Sequence, residues 1–237
     1  FKYTTPYTHK YLDVKGMGNI IRLYTYWENG PLEYPIDVDL SATFYDKNFN
    51  KITDIAYFNP KDNSLGAVHS GDIVNAPDGA VEAIDVNLDK AKRRGARYVA
   101  IVNNVYAGSN SFKEIGTVSF GVASYKGKLA LKDPKALKDV YGVNNNSSFS
   151  IMAVYDLEEN ALITIDSNVS QAPKQWGNNV FNVQDKVKTI VKWYATRNNA
   201  RVGEFIHPHL VKAKEIPFTN ETATKLINYI LGEDTDE

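Results

Sequence analysis

From Ile36 to Tyr45 apolar and polar residues alternate without a break. Ile36, Val38, Leu40, Ala42 and Phe44 fall on one side; Asp37, Asp39, Ser41, Thr43 and Tyr45 fall on the other. A period of two belongs to extended chain, so this segment predicts a strand with one buried face. Shorter runs rich in β-branched and aromatic residues recur at Asn19 to Trp27, Ile55 to Phe58, Val81 to Leu88 and Tyr98 to Val105, then at Val118 to Val122, Phe149 to Tyr155 and Leu162 to Ile165. Turn clusters such as Glu28-Asn29-Gly30-Pro31 and Asp46-Lys47-Asn48 separate them. About eight strands at such spacing predict a β-sandwich or barrel. Helical periodicity comes late. Val183, Val187, Ile190, Val191 and Tyr194 form one stripe, and Ala223, Leu226, Ile227, Ile230 and Leu231 a second. A shorter helix is expected from Pro134 to Tyr141, with Asp133 before it and Gly142 to stop it. The resulting division is an arm over 1–18, a sandwich over 19–170, and a helical extension over 171–237 packed on it.

Composition narrows the function. With 237 residues, 43% hydrophobic and 23% charged, the chain is an ordinary globular one. Its 27 basic and 28 acidic residues leave a net charge of -1, so no global field draws it to nucleic acid or an anionic membrane. The basic cluster Lys90 to Arg97 reads as a connection between two strands. No apolar run approaches the roughly 18 residues that crossing a bilayer takes, so direct membrane insertion is not expected. Cysteine is absent, which removes disulfides, thiolate zinc sites and cysteine nucleophiles together. The start has neither an initiator Met nor a signal-type segment and reads as that of a fragment or a processed product, while the lack of cysteine fits a reducing compartment, so the expected location is the cytoplasm.

The chemistry concentrates in two places. Asp37-Val38-Asp39-Leu40-Ser41 sets two carboxylates and a hydroxyl on one strand face. Two carboxylates about 4 Å apart repel by about 4 kcal/mol at an effective dielectric of 20, so an enclosed pair calls for a metal, a proton or an arginine. A second oxygen-rich stretch runs through His69-Ser70-Gly71-Asp72 and Asp78-Gly79 to Glu82. Calcium, which takes six to eight oxygens, suits such loops. Ser70, His69 and Asp72 have the residue types of a hydrolytic triad, but neighbours on one bend do not converge, and no G-x-S-x-G elbow is present. His207-Pro208-His209 offers two imidazoles without a third ligand nearby in sequence.

The order Asp37-Val38-Asp39-Leu40-Ser41, Tyr57-Phe58-Asn59, Val68-His69-Ser70-Gly71-Asp72 and Val81-Glu82-Ala83-Ile84-Asp85-Val86-Asn87-Leu88 resembles the TerD family of tellurium-resistance and stress-response proteins, over about Asn19 to Asp166. The resemblance implies a mainly β, two-sheet TerD-like sandwich with a few peripheral, mostly C-terminal helices. It also implies calcium bound through acidic loops, protein partners or the remainder of a larger chain, a bacterial setting and no catalysis. Carried over residue by residue, the metal ligands would be Asp37, Asp39, Asp72, Asp78 and Glu82. This chain departs from the family in the loop Ile73 to Val81, where Asp78 is the only acid, so weak calcium binding is expected. The competing expectations are an assembly component that docks through its extension and, in another class, a hydrolase using Asp37, Asp39 or Glu82 as acid and base.

Overall fold

The computed structural model describes residues 11–13, 18–30, 34–124, 137–168 and 180–196. These belong to one compact unit, Phe1–Thr196. The strands in chain order are β1 (Tyr11–Asp13), β2 (Ile20–Trp27), β3 (Asp37–Tyr45), β4 (Lys51–Ile55), β5 (Lys61–Asp62) and β6 (Ala67–His69), then β7 (Ala80–Asn87), β8 (Tyr98–Ala107), β9 (Val118–Ser124), β10 (Leu137–Gly142), β11 (Phe149–Asp156) and β12 (Ala161–Asn168). Three helices interrupt them: α1 (Leu88–Arg93), α2 (Phe112–Ile115) and α3 (Gln184–Thr196), the last preceded by a 3-10 turn over Val180–Val183.

Two six-stranded antiparallel sheets result, in the orders β1-β12-β11-β8-β3-β4 and β10-β9-β2-β7-β6-β5. Their facing sides share one apolar core. Val38, Leu40, Phe44 and Ile101 of the first sheet and Leu23, Trp27, Ile84 and Phe120 of the second are all buried in it. The mainly β, two-sheet architecture is therefore the one expected from the strand pattern.

The alternation in β3 sorts its side chains as expected, but both of its faces are buried, not one: all nine residues are buried. Distant chain supplies the second cover. Tyr45, Tyr98, Ala100 and Val102, on the outer side of the first sheet, pack with Val180, Val183, Val187 and Val191 from the 3-10 turn and α3. The apolar stripe of α3 thus covers that part of the outer face, as its amphipathic pattern requires.

Two local expectations are corrected. Over 134–141 the chain forms no helix among the described residues; Leu137–Gly142 is β10, paired antiparallel with β9. Its mixed composition suits either state, and the ladder offered by the edge of β9 overrides local propensity. The run Ile55 to Phe58 is not a strand either: β4 ends at Ile55, and Tyr57 and Phe58 sit in a turn closed by the Ala56–Asn59 bridge. Tyr11–Asp13, read as part of an arm, adds to β12 as an edge strand. The basic cluster does connect strands, as α1 between β7 and β8. His207, His209 and the stripe from Ala223 to Leu231 lie outside the described residues.

Candidate cation site

The site lies where the first half of β3 runs without a neighbour on one side. β4 pairs only with Ala42 to Tyr45, so the backbone of Asp37 to Ser41 has an open edge facing away from β8. Buried strand edges require partners. Here side chains of the second sheet provide them: Leu40 N–H donates to Glu82 Oε2 at 2.9 Å, and the Leu40 carbonyl lies 3.1 Å from His69 Nε2. Glu82 Oε1 accepts from Ile73 N–H at 3.0 Å.

The tautomer of His69 follows from its neighbours. Gly71 N–H donates to Nδ1 at 3.1 Å, so the ring proton resides on Nε2, toward Leu40 and toward Glu82 Oε2 at 3.3 Å. His69 thus fixes the turn at Ser70-Gly71-Asp72 through its ring nitrogen. Ser70 Oγ accepts from Ala83 N–H at 2.9 Å, and His69 points into the sandwich, so no Ser-His-Asp arrangement forms at this bend. Gly71 has φ +117°, a conformation closed to residues with a Cβ, and it redirects the chain at Asp72.

On the outer face of β3 the carboxylates gather. One oxygen from each of Asp37, Asp39 and Asp72 lies within 4.8 Å of the others. Asp37 and Asp39 are only 5% and 3% exposed, whereas Asp72 reaches solvent. Asn104, opposite Asp39 on β8, donates its amide to Asp39 Oδ2 at 2.9 Å. Asp37 Oδ1 is buried with no hydrogen-bond partner. Among the described residues no lysine or arginine pairs with any of the three; Lys51, Arg22 and Arg97 are engaged with Asp54, Asp85 and Asp156.

Burial pushes the Asp37 carboxyl up to about 7, with the charges of Asp72 and Glu82 adding to the effect. Burial also pushes Asp39 up to about 8, against the Asn104 hydrogen bond and reinforced by Asp37, Glu82 and Asp72. Of the five acids expected as ligands, the fold brings Asp37, Asp39 and Asp72 together. Glu82 stands beside them but spends both oxygens on backbone N–H groups, a framework role that residue type alone does not reveal. Asp78 is exposed in the Pro77–Asp78 turn and lies outside the cluster.

The donor set is all oxygen, since His69 has its Nδ1 occupied and its Nε2 turned inward. That chemistry fits a hard cation such as calcium and not zinc. An unpaired buried carboxylate oxygen beside two more carboxylates is the feature such an ion would satisfy.

Aromatic residues stand on the segments that flank β3, Tyr106 on β8 and Tyr57 just past the end of β4. A bulge in the β3–β8 ladder between Asp37 and Val38 leaves Tyr106 as the extra residue on β8. Tyr106 and Phe58 are 45% and 43% exposed. The Tyr57 ring lies 5.2 Å from Phe58 and 6.3 Å from Tyr106, centroid to centroid and edge-on in both cases.

A comparison with models of known protein families finds no match, and a comparison with curated proteins finds none either. Among solved structures the chain is similar to a homologue of telluride resistance protein TerD from Streptomyces coelicolor A3(2). The TM-score is 0.47 and the identity 14%, over 63% of this chain and 92% of that one. It is also similar to a protein of unknown function, with a TM-score of 0.48, 10% identity, and coverage of 64% of this chain and 92% of that one. No helix among the described residues is long and apolar enough to cross a membrane.

Proposed function

We propose that the protein is a non-catalytic binding module that takes a divalent cation, calcium in the first place, on Asp37, Asp39 and Asp72. The observation that carries this reading is the buried, unpartnered Oδ1 of Asp37 within a three-carboxylate group that no basic side chain neutralises among the described residues. Calcium takes six to eight oxygens, so three carboxylates, some bidentate, would be completed by water entering from the exposed Asp72 side. A small, incomplete protein ligand set argues for weak affinity. The stress-response setting rests on the sequence resemblance alone, and calcium binding does not require it.

Calcium titration followed by thermal unfolding tests the reading. Binding to the folded state alone adds about 2.7 kcal/mol at 100 times Kd. The expected result is a saturable rise in Tm in the wild type and none in Asp39→Asn. No rise at millimolar calcium would sink it.

A further inference from the structure

The aromatic border of the acidic group does nothing for a bare metal ion, whose ligands are oxygens, yet it is positioned and exposed. β4 and β8 flank β3 on opposite sides, so the ring contact between Tyr57, just past β4, and Tyr106, on β8, passes over the strand that carries Asp37 and Asp39. Four of the six large apolar side chains exposed among the described residues belong to segments bordering this group: Tyr34 and Val74 by sequence, next to Asp37 and Asp72, and Phe58 and Tyr106 through the Tyr57 ring. An exposed apolar rim beside buried carboxyls that no lysine or arginine pairs with among the described residues is complementary to a cation that carries carbon. Aromatic faces attract ammonium groups within about 6 Å of the ring centre.

From this arrangement we propose that this corner of the sandwich receives a lysine side chain of a partner protein, its ammonium on Asp37 and Asp39 and its methylene stem against Tyr57, Phe58 and Tyr106. Lysine fits better than arginine. Its ammonium is compact and donates in three directions, as convergent carboxylates require, whereas a guanidinium seeks one carboxylate in its own plane. Asp39 already gives one oxygen to Asn104, which disfavours that planar pairing. The inference rests on the cation-binding reading of the same carboxylates, so calcium and the lysine are competing occupants. The rim supplies the selectivity that calcium does not use.

NMR titration of the full chain with acetyl-Ala-Lys-Ala-amide, and with its norleucine and arginine counterparts, tests this. Saturable shifts at Asp37 to Asp39, Tyr57, Phe58 and Asn104 to Tyr106 are expected with the lysine peptide and not with norleucine, and they should reverse on adding calcium. Tyr106→Ala should weaken the peptide at least fivefold while leaving the calcium titration unchanged; Asp39→Asn should abolish both. Calcium binding without any peptide shift would overturn the lysine inference and leave the cation module standing, whereas loss of both responses in the wild type would remove the module itself. Equal shifts from norleucine, tighter binding of the arginine peptide, or n-butylammonium binding as tightly as the peptide would each overturn the assignment to a partner's lysine.

Discussion

Asp37 and Asp39 are acids whose protons are held more tightly in the folded chain than in the unfolded one, where each sits near 3.8. Between about pH 4 and the folded values of about 7 and 8, the native state therefore binds more protons, and stability falls as pH rises. Below that window both states are protonated, and above it both are ionised, so the curve flattens at either end. Denaturant melts in EDTA should show this decline from pH 4 to pH 8. Asp39→Asn should flatten the upper part of the curve, and saturating calcium should restore stability most at the alkaline end. Proton and metal compete for the same oxygens, so calcium affinity should rise between pH 6 and pH 8.5 with net proton release, readable in a weakly buffered titration. Glu82 makes a different prediction. It is fully buried and satisfies the N–H groups of Leu40 and Ile73. Glu82→Ala leaves both donors unpaired, at about 1 to 3 kcal/mol each, so a loss of about 2 to 6 kcal/mol is expected by urea unfolding. That the two aspartates of β3 share a face was legible in the alternation. That Asp72 joins them was not, because it comes from the other sheet, and only the motif resemblance pointed to it.

Among the elements, β3 depends on how its first residues are set. Gly108, just past the end of β8, has φ +84°, and a Cβ there would lie 2.1 Å from the Pro35 carbonyl oxygen, backbone against backbone. Gly108→Ala must displace the entry to β3. A cost of about 3 kcal/mol is expected by thermal or urea unfolding, with weaker calcium binding as Asp37 moves. The helix α3 is the other long-range element. Val187 and Val191 are fully buried against the outer face of the first sheet. Val191→Ala removes two carbon atoms from that contact, about 1.6 kcal/mol by transfer and more for any cavity. Strands with clean alternation, β3 above all, were readable because one face always meets the core. Two things were not. The burial of Tyr45, at the end of the second face of β3, depends on a helix about 140 residues further along the chain. The strand state of Leu137–Gly142 depends on a free edge of β9 that local sequence does not encode.

Across the whole molecule, the two sheets meet at this corner through side chains, not through a ladder. Asp37 and Asp39 belong to the first sheet, while Asp72, His69 and Glu82 belong to the second or to the loop leaving it. Deeper in the sandwich a polar pair, Thr25 Oγ1 and Asn103 Oδ1, 2.7 Å apart, crosses between the layers within a largely apolar core. A cation held by Asp37, Asp39 and Asp72 would therefore join the layers where β3 lacks a partner strand. Its stabilisation should stay local, because the remaining strands are already laddered on both sides or lie far from the corner. Hydrogen exchange measured with and without calcium should show slower exchange for the amides of Val38 to Ser41, for Gly71 to Ile73 and for His69, with little change in β10 or β12. In Glu82→Ala the Leu40 amide should exchange faster even without calcium, since its acceptor is gone. Uniform protection of every strand by calcium would instead mean that the ion acts on global unfolding alone, and would contradict a bond between layers at this corner.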